Sequence, residues 1–196
     1  MAKSGSEQPC LRLDYSKLSV ADPVTSAKGA KSAAFNYNGL PVIWKPDTMQ
    51  VLFEPGTFSG EPSNRLNLVL LPDSNIQEQL DDLDSFVVQH MTQHCERLIG
   101  KKLTEGEIHN RYQPCLKKSE KGYSPSFKVK LTLEGPGKTR LWDSSKQPRD
   151  PPKIWRKADV APALKLKGLY FMGKDYGCLC EAQDLMVSEA TTSCPF

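Results

Sequence analysis

Ser126-Phe127-Lys128-Val129-Lys130-Leu131-Thr132-Leu133 is the stretch on which the fold turns. Apolar residues take every second position, and Lys128, Lys130 and Thr132 take the alternate ones. A period of two sends the two sets to opposite faces of a β-strand, one toward a core and one toward solvent. Leu164-Lys165-Leu166-Lys167 repeats the pattern and runs on into Leu169-Tyr170-Phe171-Met172. Gly173-Lys174-Asp175-Tyr176-Gly177 reads as a hairpin loop, with Cys178 to Val187 as the returning strand. Between the two Lys-bearing segments, Gly135-Pro136-Gly137 turns the chain and Thr139 to Asp143 is expected as a partner strand. Residues 144–153 form a Pro-rich loop that a helix cannot cross, and Ile154-Trp155-Arg156 reads as a short strand.

Upstream, strands are expected at Val42-Ile43-Trp44, at Met49 to Phe53 and at Arg65 to Leu71, where Leu66, Leu68 and Leu70 share a face. One long helix follows over 75–99. Ile76, Leu80, Leu83, Val87, Met91, Cys95 and Leu98 recur at helical spacing, acids come early and bases late, and Gly100 ends it. Ser74 with Gln77 is the expected capping box, and Thr104 with Glu107 opens a second, short helix limited by Pro114. Strands with an inserted helix imply an α+β protein with an OB-like antiparallel β-barrel or curved sheet. The organisation expected is a flexible arm at 1–33, one domain at 34–187 and a polar tail at 188–196.

Charge is split along the chain. Lys117 to Lys174 holds 15 Lys/Arg against 5 Asp/Glu, whereas Asp47 to Glu96 holds 1 against 9. The overall +3 hides this. Aromatic residues are set among the cations of the basic, strand-rich half. Such a surface can hold a polyanion with unpaired bases: cations neutralise phosphates and rings stack on bases without reading their identity. Expected phosphate contacts are Lys128, Lys130, Arg140, Lys153, Arg156, Lys157, Lys165, Lys167 and Lys174. Expected stacking residues are Tyr123, Trp142, Trp155, Tyr170 and Tyr176. The same split suits a second reading, a structural protein that self-associates by setting its acidic segment against its basic one.

Other motifs are incomplete. Gly135-Pro136-Gly137-Lys138-Thr139 resembles the end of a phosphate-binding loop, but Thr132 stands where that motif needs its first glycine. His90 and His94 share a helix face without the glutamate of a zinc-protease helix. The six cysteines have no C-x-x-C pair and read as reduced thiols, with Cys178 and Cys180 on one strand face. No enzyme chemistry, metal or cofactor is expected. No run approaches the roughly 20 apolar residues of a membrane helix, and the first residues, MAKSGSEQ, contain no apolar signal region. The expected setting is intracellular, in nucleus or cytoplasm.

Taken from 34 to 187, the order of strands, inserted helix and basic strands resembles the OB-type single-stranded DNA-binding proteins of T7-like phages and large DNA viruses. The resemblance implies sequence-tolerant binding of single-stranded nucleic acid, DNA in preference to RNA, in support of replication, repair or recombination. It implies a viral setting, with a viral factory as one location; a homo-oligomer is expected separately, from the acidic helix packing on a second subunit. The chain ends Cys194-Pro195-Phe196, and a terminal Pro-Phe implies that Phe196 docks on replication proteins. The last residues depart from the acidic tail of such proteins.

Overall fold

The alternation at 126–133 is realised as a strand over Ser126–Thr132, with Phe127, Val129 and Leu131 buried and Lys128 exposed. The computed structural model describes residues 9–10, 12–57, 63–119 and 121–188. In chain order its strands are β1 (Pro9–Cys10), β2 (Leu18–Val20), β3 (Val24–Thr25), β4 (Lys31–Tyr37), β5 (Leu40–Trp44), β6 (Met49–Val51) and β7 (Arg65–Leu71). After helices α1 (Ser74–Ile99) and α2 (Glu105–Arg111) come β8 (Tyr112–Gln113), β9 (Leu116–Lys117) and β10 (Ser126–Thr132). The chain closes with β11 (Arg140–Trp142), β12 (Asp159–Met172) and β13 (Asp175–Ser188). The architecture is α+β, with a mostly antiparallel curved sheet and one long helix.

The pairings return on themselves. β6 pairs with β7, β7 with β10, β10 with β13, β13 with β12, and β12 with β6 again. The β10–β13 joint is parallel and rests on Lys130 opposite Glu181, and the others in the ring are antiparallel. Inside the ring lie Met49, Val51, Leu68, Leu70, Phe127, Val129, Leu131, Val160, Leu164, Leu185 and Val187, all buried. β12 is long enough to leave the ring. Leu164–Leu166 pair with β5 and Gly168–Phe171 with β4. Gly168 makes that crossing possible: its φ is +131°, and a Cβ there would lie 2.0 Å from the Ala33 carbonyl oxygen.

Helix α1 lays Ile76, Leu80, Leu83, Val87, Met91 and Leu98 into the core at the expected spacing. Its N-cap is Asp73 rather than Ser74. Asp73 Oδ1 accepts from Ile76 N at 2.8 Å, and Gln77 Nε2 donates to the Pro72 carbonyl instead of closing a box. Gly100 ends the helix with φ +84°. The box at Thr104 and Glu107 is formed as expected. Buried Gln79 is satisfied, its Oε1 accepting from Trp44 Nε1 at 3.3 Å.

Three local expectations are corrected. β11 does not return beside β10; it pairs in parallel with β13, Leu141 opposite Leu185. Residues 154–156 are loop, held by side-chain bonds described below rather than by a ladder. The hairpin loop is only Gly173-Lys174, because Met172 already faces Asp175. The part of the supposed arm from residue 12 onward carries β2 and β3 against β4, and Leu13, Leu18, Val20 and Ala33 are buried. Leu13 and Val20 bring enough apolar surface to dock what its Ser, Lys and Gly content suggests is loose.

Candidate nucleic-acid interface

The outer face of the ring carries one cross-strand row. Asn67 of β7 faces Lys130 of β10, Lys130 faces Glu181 of β13, and Glu181 faces Lys165 of β12. These residues share a face because each is paired directly with the next. Lys128 stands two positions along β10 from Lys130. Lys167 lies in a bulge of β12, where the register shifts between Leu166 and Gly168. The four lysines that alternation singled out are therefore brought to one surface.

That surface also holds groups that sequence reading did not nominate. Arg65 Nη2 donates to Glu181 Oε1 at 2.6 Å, and Lys167 Nζ approaches Glu181 Oε2 at 3.6 Å. Lys130 Nζ donates to Asn67 Oδ1 at 2.8 Å. Partial burial, together with the nearby Arg65 and Lys128 cations, lowers the Lys130 pKa from the usual lysine value. Arg65 and Asn67 alternate with half-buried Leu66 and buried Leu68, so the period that identified Lys128 and Lys130 would have found them too.

Further round, Arg140 Nη2 pairs with Asp184 Oδ2 at 2.7 Å, and Trp142 Nε1 donates to Asp184 Oδ1 at 2.9 Å. Arg140 is thus partly neutralised, and the half-buried Trp142 ring is fixed by its N–H. Lys153, Arg156, Lys157 and Lys174 are exposed on loops. Tyr123 is 72% exposed and Tyr170 half-buried, so both rings are within reach of a ligand. Trp155 and Tyr176 are not. Trp155 is 5% exposed and packed in the core, and Tyr176 is 2% exposed with its hydroxyl donating to the Ile108 carbonyl at 3.1 Å. Both rings are spent on burial, as large apolar side chains usually are. Phe196 and the tail from 189 lie outside the described residues.

Beside the row opens a cleft of about 1450 Å³, with Lys117, Lys118, Lys128 and Lys130 among its lining residues and Tyr170 further round it. Deeper in it sits a polar knot. The Asp84 carboxylate accepts from Tyr112 Oη, Cys115 N and Leu116 N. Burial pushes its pKa up to about 8, against the pull of those donors. Cys115, Cys178 and Cys180 line the cleft as well: the interaction among their thiols favours the Cys115 thiolate and, with burial, raises the other two.

The remaining motifs settle into structural roles. Thr139 of the Gly-Pro-Gly-Lys-Thr run is buried, its hydroxyl donating to the Ala182 carbonyl at 2.7 Å, and a strand rather than a helix follows it. His90 packs between the Phe86 and His94 rings, and among the described residues no group of three His, Cys, Asp or Glu is arranged to hold a metal ion. The acids of α1 find partners within the chain. Arg12 pairs with Glu78 and Asp82, and Lys118 with Asp81. Among the described residues no helix is long and apolar enough to cross a membrane.

Two solved structures are similar in fold. Gp2.5, a single-stranded DNA-binding protein encoded by bacteriophage T7, superposes with a TM-score of 0.50 at 11% identity, over 77% of this chain and 93% of that one. The single-stranded DNA-binding protein of bacteriophage Enc34, in complex with ssDNA, gives 0.48 at 8% identity, over 87% and 96%. No curated protein matches the sequence. Residues 61–193 match a family of unknown function, DUF5871, and the chain belongs to that family.

Proposed function

We propose that this protein binds single-stranded nucleic acid, DNA in preference to RNA, without sequence preference and without chemistry of its own. The observation that carries the reading is the row Lys130–Glu181–Lys165, flanked by Arg65, Lys128 and Lys167, on the outer face of a five-stranded ring. The ring order, with the strand after the helix running parallel to the last strand, supports an OB-type barrel. The fold likeness to the phage T7 protein supports it too. Phosphates would lie on Lys128, Lys130, Lys165, Lys167 and Arg65. Lys153, Arg156, Lys157 and Lys174 would extend the track, and Arg140, tied to Asp184, would add little. Tyr123 and Tyr170 would stack bases, and Trp142, toward the other end of the β12–β13 ladder, would do so further along the strand. Phosphate and stacking contacts leave base edges unread, hence the tolerance of sequence. Such a protein would coat single strands exposed in replication, repair or recombination.

The test is fluorescence anisotropy with a labelled oligo-dT of about 30 nucleotides at two salt concentrations. Binding that weakens steeply with salt, prefers single to double strands and falls about tenfold or more in Lys128→Glu supports the reading. No binding at low salt overturns it.

A further inference from the structure

A second corner of the ring is built from two loops that lie a hundred residues apart in sequence. Backbone bonds dock them: Val51 N donates to the Ala158 carbonyl and Lys157 N to the Val51 carbonyl, each at 2.8 Å. The Glu54 carboxylate then clamps the far loop. Its Oε1 and Oε2 accept from Trp155 N at 3.1 Å, and Oε1 accepts from Arg156 N at 2.9 Å. Trp155 anchors the loop from below with its buried ring.

The residue before each clamped element is apolar and outside. Phe53 is 59% exposed and Ile154 69%. The Glu54 bonds fix the backbone immediately beside both residues. Lys153, Arg156 and Lys157, all exposed, come from the same clamped loop. An apolar protein partner would meet three cations here, whereas a strand of nucleic acid brings bases for Phe53 and phosphates for those cations. The corner also continues the lysine face. Leu52 N donates to the Val69 carbonyl, Gly56 bridges Asn67, and Val69 and Asn67 face Lys128 and Lys130. At roughly 4.8 Å between paired strands, the corner lies about two strand spacings, near 10 Å, from those lysines.

We infer that Phe53, beside the Glu54 clamp that holds the loop of Lys153, Arg156 and Lys157, is a base-stacking platform for the same single strand that crosses the lysine face. The inference rests on the nucleic-acid reading above and adds a site to it.

The experiment is anisotropy of the full chain with labelled oligo-dT at several salt concentrations, comparing wild type with Phe53→Leu, Phe53→Tyr and Lys128→Glu, with thermal melting to check folding. Phe53→Leu, which keeps apolarity but loses the ring, is expected to weaken binding about tenfold without changing the salt slope. Phe53→Tyr is expected to bind like wild type. Wild-type binding that is lost in Lys128→Glu but unaltered in Phe53→Leu overturns the platform and leaves the lysine face standing. Wild type that fails to bind overturns both. Equal losses in Phe53→Leu and Phe53→Tyr would also overturn the platform, because stacking tolerates the added hydroxyl.

Discussion

Arg65 and Glu181, 116 positions apart in the chain, meet at 2.6 Å on the outer face of the strand ring. Glu181 is the one carboxylate in the row between Lys130 and Lys165, and Arg65 and Lys167 both lean on it. The carboxylate relieves repulsion among the cations while the face is empty. It also competes with any phosphate that arrives there.

Replacing that carboxylate is therefore expected to strengthen binding. Glu181→Gln keeps the shape and frees Arg65 and Lys167. Affinity for oligo-dT at low salt should rise a few-fold, and the slope of log K against log salt should steepen by about one. Weaker binding in Glu181→Gln would show that its role is to position Arg65.

Two aromatic substitutions should part company. Trp155→Ala empties a buried site and is expected to cost roughly 3–5 kcal/mol of stability in a urea titration. Tyr123→Ala removes a ring that is 72% exposed, so stability should stay unchanged while oligo-dT binding weakens about tenfold.

Asp84 makes stability depend on pH. Its folded-state pKa, about 8, lies above the ordinary carboxylate value, so between about pH 4 and pH 8 the folded chain holds a proton that the unfolded chain has lost. This contribution is full below pH 4 and disappears as pH rises through 8. The thermal midpoint of Asp84→Asn should fall less than that of wild type across this window. Parallel pH profiles would mean that Asp84 is ionised in the folded protein, held so by Tyr112 and the Cys115 N–H.

Cys115, Cys178 and Cys180 line one cleft, and both strand thiols act on Cys115, whereas those two sit on one strand. Oxidised glutathione, itself reduced as two protein thiols lose their protons and electrons, should link Cys115 to one of them. Peptide mass mapping after alkylation would report the pair. Cys115→Ser should abolish it, and a Cys178–Cys180 product in wild type would contradict this placement.

Gly168→Ala is expected to fold poorly. Both the φ of +131° and the 2.0 Å approach to the Ala33 carbonyl oppose a methyl group, and the β12–β4 pairing would have to open. Native-like urea unfolding of Gly168→Ala would contradict this.

Period and punctuation in the sequence determined most of the local structure. Alternation at 126–132 and 164–167 named the strands and the outward lysines, and helical spacing from Ile76 to Leu98, ended by Gly100, named α1. These are short-range signals, carried by neighbours along one element. Asp73 displaced Ser74 as the cap because two adjacent residues both suit that position, and only backbone geometry chooses between them. Tertiary structure alone decided the rest. Nothing near Trp155 or Tyr176 in the chain shows that core packing claims their rings while Tyr123 stays in water. Nor does local sequence place Glu181 among the lysines, turn β11 toward β13, or bring Glu54 to the backbone of Trp155, because each depends on pairing partners from distant parts of the chain. Side-chain period is local, but strand register is a property of the closed ring, and at this surface register sets which charges meet.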